Sequence, residues 1–147
     1  MRTTLIALAL SALGVSPALG SEPIPERWNR MWNTQDLLSE TPEGVVYQRQ
    51  MLVLHNRFWR DVYKKCAGVA WSAGIKQFRA VAVVDAGGTI TEFAIFPERE
   101  ALGCFSKEIV GKTYPSPPAV PYYAGFVVKL SKPDRSMRKQ SQQVGTE

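Results

Sequence analysis

At 147 residues, with 45% apolar side chains and a net charge of +5, the chain can build one ordinary domain with a real core but not two. Two cysteines and one histidine leave a four-ligand zinc set incomplete, and a cysteine pair once bridged leaves none for nucleophilic work. The positive charge gathers at the C-terminus, five bases against two acids from Lys129 onward, without the interleaved aromatics or periodicity of a nucleic-acid-binding element, so no nucleic-acid partner is expected.

Residues 1–20 read as a signal peptide. Arg2 precedes an apolar run from Leu5 to Val15, Pro17 loosens it, and Ala18 and Gly20 occupy the −3 and −1 positions, so cleavage is expected near Gly20. The run is shorter than the roughly 20 residues that span a bilayer core, so no stable membrane anchor is expected and the mature protein should be periplasmic or secreted. Its cysteine pair then meets an oxidising compartment, where two cysteines in a small exported domain are usually joined.

Residues 21–44 form an N-terminal helical or loop segment. Trp28 and Trp32, four apart, lie on one face of a short helix, either packed on the domain or exposed as a partner-binding ridge. Thr41-Pro42-Glu43-Gly44 reads as a turn. The next helix runs from about Val46 to Cys66, with Met51, His55, Phe58, Val62 and Cys66 recurring on one side and Gly68 placed to end it. His55 falls on the apolar stripe and, with no second histidine or neighbouring nucleophile, reads as a packed residue rather than a base.

Lys76–Val84 and Thr89–Phe96 are rich in β-branched and aromatic residues and are separated by Asp85-Ala86-Gly87-Gly88, which predicts an antiparallel hairpin. Arg79 and Glu92 are expected to face solvent. Strict alternation then turns Phe78, Ala80, Ala82, Val84, Thr91, Phe93 and Ile95 inward. Val81, Val83, Ile90, Ala94 and Phe96 make the other face unusually apolar, so it needs a cover: the tryptophan-bearing segment, a second copy or a partner. Cys66 and Cys104 flank the hairpin and are predicted to bridge.

Pro97 suits the first turn of a helix that stops at Gly111, with Leu102, Phe105 and Ile109 as its apolar stripe. The proline-rich stretch from Tyr114 to Pro121 is an extended connector. Tyr122–Leu130 is a third strand, and residues 131–147 have the composition of a disordered basic tail. The fold class is therefore α+β: a three-stranded antiparallel sheet over residues 45–130, with helices packed on one face in the order helix-β-β-helix-β and one disulfide.

No G-x-S-x-G, H-E-x-x-H or phosphate-binding glycine loop occurs, so neither an enzyme nor a cofactor is expected. From Leu52 to Leu130 the chain resembles the C-terminal domain of the TonB and TolA proteins. The resemblance is carried by V-A-V-V-D-A-G-G-T-I-T-E-F-A-I (Val81 to Ile95), L-G-C-F-x-x-x-I (Leu102 to Ile109) and Y-P-S-P-P (Tyr114 to Pro118), similar to that family's W-x-F-P-P-type stretch. The paired cysteines are similar to the cysteine-bearing branch of the AgmX/PglI type. Tyr114 stands where the family carries Trp, and a cleavable leader replaces the family's uncleaved anchor. What the resemblance implies is a periplasmic module that pairs an edge strand with a protein or peptide partner through Tyr122, Tyr123, Gly125 and Val127, or with a second copy as a homodimer. A secreted enzyme inhibitor or immunity-type protein acting through the proline-rich loop is the alternative.

Overall fold

The computed structural model describes residues 24–132; the expected signal peptide and most of the basic C-terminal stretch lie outside the described residues. The first helix, α1 (Glu26–Ser39), buries Trp28, Met31 and Gln35, which recur at three and four residues and so share one side. Only Glu40 and Thr41 separate it from α2 (Pro42–Ser72), a helix of 31 residues.

The Thr41–Gly44 stretch is a helix start rather than a free turn. The Thr41 hydroxyl accepts the Gly44 N–H at 3.0 Å, and Pro42 occupies the first helical position, where its missing N–H costs nothing. Gly44 is required by the close corner: a Cβ there would lie 1.9 Å from the Leu38 carbonyl oxygen. Replacing Thr41 by Ala should lower the unfolding free energy by about 1 kcal/mol, read by urea titration; an unchanged midpoint would show that the cap is idle. At its other end α2 runs past Gly68 to Ser72 instead of stopping there. A glycine inside a helix costs only about 1 kcal/mol, and burying Ala67 and Ala70 beside it keeps the helix going.

Three strands follow as expected: β1 (Gln77–Val84), β2 (Ile90–Phe96) and, after α3 (Gly103–Ile109), β3 (Tyr122–Lys129). The sheet is antiparallel in the order β2-β1-β3, with β1 central. In the hairpin turn the Asp85 carboxylate accepts the N–H groups of Gly87 and Thr89 at 2.9 and 2.8 Å, which fixes the reversal locally.

Beside the turn the register departs from simple alternation. Val83 pairs with Glu92 but Val84 pairs with Ile90, so Thr91 is an extra residue in β2. That one-residue bulge sends Ile90 into the main core and leaves Thr91 exposed, opposite to the alternating pattern, with the Thr91 hydroxyl donating to the Val83 carbonyl.

The main core lies between the sheet and the pair α2 and α3, around Phe78, Phe105, Ile109 and Tyr122. The other face is covered by α1, through a second cluster of Trp28, Met31 and Val81. Arg79 and Glu92 are thus not free in solvent. The Arg79 guanidinium lies 5.1 and 5.3 Å from the ring centres of Trp28 and Trp32, and Glu92 takes a two-pronged ion pair from Arg27.

The third helix begins later than Pro97. Arg99 is still extended, so helical backbone starts with a 3-10 turn at Glu100–Leu102 and passes into α3. Cys104 on α3 is bonded to Cys66 on α2, with Cα atoms 5.5 Å apart.

Candidate functional site

The two edges of the sheet differ. Beside β2, the Ser106 hydroxyl donates to the Phe93 carbonyl at 2.9 Å, Gly111 donates to the Ile90 carbonyl at 2.8 Å, and Ile90 donates to Lys112 at 2.9 Å. A further bond from Tyr114 N–H to Gly88 at 2.8 Å completes the cover over the hairpin end of that edge. Such covering removes unpaired strand groups that would otherwise template another chain.

On the other side, Leu130 donates to Lys76 at 2.8 Å, and the antiparallel register fixes which groups of β3 point where. Tyr122, Ala124, Phe126 and Val128 turn their backbone groups toward β1. Tyr123, Gly125, Val127 and Lys129 turn theirs outward, and no hydrogen bond from a described residue reaches them.

This outer edge is not clear along its whole length. On one face Gln35 rests on Gly125, where a Cβ would sit 1.8 Å from the Gln35 Oε1; three residues later Leu38 packs into the core of the opposite face. The C-terminal end of α1 therefore passes from face to face beside the first half of β3. The remaining half holds Val127, 56% exposed, and the exposed Lys129.

The residues expected to meet a partner separate accordingly. Tyr122 is buried in the main core with its ring 4.6 Å from that of Tyr47. Trp28 is buried, with its indole N–H donating to the Ala94 carbonyl at 3.3 Å, and the half-buried Trp32 stacks on it at 5.1 Å. These two rings cover the sheet rather than form a free ridge. Tyr123 is half-buried beside a cleft of about 330 Å3 that it shares with Arg27, Arg30, Met31 and Thr34. Gly125 is overlain by Gln35, and Val127 alone of the set stands well clear.

A second polar feature lies inside. His55 is 6% exposed, shares a hydrogen bond of 2.8 Å with the Tyr114 hydroxyl, and lies flat against Phe126 with ring centres 4.6 Å apart. Burial pushes the imidazole down to about 4 and the Tyr114 hydroxyl upward. Next to it the Tyr47 hydroxyl, itself pushed up to about 12 by burial, donates to the Pro115 carbonyl at 2.9 Å. Both bonds tie the start of the proline connector to α2, a pairing that the sequence pattern of single residues does not announce.

Among the described residues no group of three or more His, Cys, Asp or Glu side chains could hold a metal ion, and both cysteines are bridged. What the exposed half of β3 offers is main-chain donors and acceptors beside one aliphatic side chain. Together these features define a disulfide-bridged α+β domain with one sheet edge capped over its hairpin end and the other open over its second half. No protein-family model, curated protein or solved structure matches the chain.

Proposed function

We propose that this protein is an exported, non-enzymatic protein-binding module that accepts an extended segment of a partner as a fourth strand beside β3, at Val127 and Lys129. The observation that carries the reading is the difference between the edges: β2 is capped over its hairpin end and at the Phe93 carbonyl by Ser106 and the stretch from Gly111 to Tyr114, while the second half of β3 is bare and carries the exposed Val127 and Lys129. The order helix-β-β-helix-β, shared with the TonB and TolA C-terminal domains that the sequence resembles, supports it. The leader-like N-terminus and the disulfide support a periplasmic or secreted location.

Val127→Pro is the direct test. It deletes an outward-facing donor at a sheet edge, a place where the fold itself tolerates proline. The affinity for a partner isolated from periplasmic extract should fall at least about tenfold, the equivalent of one main-chain bond and its neighbours, while the unfolding midpoint barely moves. Undiminished binding would remove strand addition at this edge. A homodimer is the version in which the partner is a second copy, and light scattering of wild type and Val127→Pro separates the two.

A further inference from the structure

The side of α2 that faces away from the sheet carries an apolar stripe that the domain leaves uncovered. Val45, Val46, Leu52 and Val53 lie one and seven residues apart, hence on one side of the helix, and are 37%, 55%, 46% and 58% exposed. Isolated exposed aliphatics are ordinary, but four within three turns on one side make a patch.

Cations surround this stripe. Arg49, Arg57, Arg60 and Lys64 recur at three, four and eight residues along the same side; all are exposed, and none has an ion-pair partner among the described residues. Between Val45 and Lys64 the one acid is Asp61. The end of β3 meets the same helix: Ser131 donates its N–H to the Tyr63 hydroxyl at 2.8 Å, one residue from Lys64, and the exposed Lys132 follows it directly.

We propose that the outer side of α2 is a docking surface for an anionic lipid bilayer. Val45, Val46, Leu52 and Val53 enter the boundary between headgroups and acyl chains, and Arg49, Arg57, Arg60 and Lys64 engage lipid phosphates. Charge selects this occupant. A second copy would set the same four cations against each other with only Glu43 and Asp61 in compensation, whereas an anionic surface complements all four. No described helix is long and apolar enough to cross a membrane, so the association is a peripheral one. It differs from strand addition and leaves the β3 edge, at the side of the sheet, open to a partner.

The test is co-sedimentation of the mature chain with vesicles of phosphatidylcholine alone and of phosphatidylcholine mixed with phosphatidylglycerol. The expected result is binding to the mixed vesicles, at least about tenfold weaker binding to the neutral ones, and a decline as salt is raised. Val46→Ser combined with Val53→Ser should lower partitioning about tenfold without moving the unfolding midpoint, because both side chains point into solvent. Arg57→Glu combined with Arg60→Glu should remove most of the preference for anionic vesicles. Equal binding to both vesicle types, or none, overturns the proposal. So does full binding by the valine variant, which would assign adsorption to the basic tail alone. A dimer in light scattering that the valine variant breaks would give the stripe to a second copy and overturn it as well.

Discussion

An unfolding free energy lower by about 2–5 kcal/mol is the expected result of replacing Cys66 and Cys104 together by alanine. The bridge closes a separation of 38 residues that contains the whole β-hairpin, and in the chain-entropy account a loop of that length stabilises by about 4 kcal/mol through the unfolded ensemble. It also joins the two helices that close the main core, α2 and α3, where Cys66 is fully buried. Since a domain of this size has about twice that stability to lose, the variant should be only marginally folded. Urea titration with and without reductant checks this: wild type in reductant should match the alanine pair. Coincident curves for oxidised wild type and variant would show that the bridge contributes nothing.

Acid should weaken the fold in a window set by His55. Its folded value of about 4 lies below the ordinary 6.5, because burial against Phe126 and Trp59 disfavours the imidazolium. The unfolded chain therefore takes up the proton first as pH falls. Stability is complete above about 6.5, declines between about 6.5 and 4, and is level with respect to this group below that, a total loss of about 3 kcal/mol with about 2 kcal/mol gone by pH 5. The chain has a single histidine, so no other side chain imitates the upper part of this window. Glu92, held below the usual carboxylate range by its bonds to Arg27, acts only at lower pH. Unfolding measured at several pH values should show the decline in wild type and its absence in the paired variant His55→Phe, Tyr114→Phe, which removes the proton site and the hydroxyl that would be left without its partner. An equal slope in both would place the acid sensitivity elsewhere.

How far the sequence carries the fold depends on whether one signal had one meaning. The hairpin was legible because Asp85, Gly87 and Gly88 fit a tight reversal and the flanking residues fit strands. The disulfide was legible from two cysteines flanking that hairpin. Thr41-Pro42-Glu43-Gly44 was not, since the same letters serve a turn and a capped helix start, and only the corner against Leu38 decides between them. Ile90 and Thr91 exchanged places because a bulge inserts one residue into a period of two, and nothing in the alternation marks where. β3 lies at the sheet edge beside β1, with its second half clear. That α1 would pass beside the first half of that strand was hidden, because it depends on Gln35 finding Gly125 across 90 residues of chain. Tyr122 looked like an aromatic anchor for a partner and is buried in the main core, and of the two roles open to Trp28 the structure shows packing on the sheet, the commoner fate of such residues in a small domain.

The passage of the end of α1 beside β3 limits how tightly the proposed strand site could hold a partner. It shortens the usable edge to two outward-facing residues, Val127 and Lys129, and so to two donors and two acceptors. At about 1 kcal/mol each, four such bonds give a short recognition motif weak attachment and quick release. A site of that kind is occupied only when its partner is kept nearby, by tethering, by repeated motifs on one chain, or by confinement of both molecules to one surface, each of which replaces intrinsic affinity with local concentration.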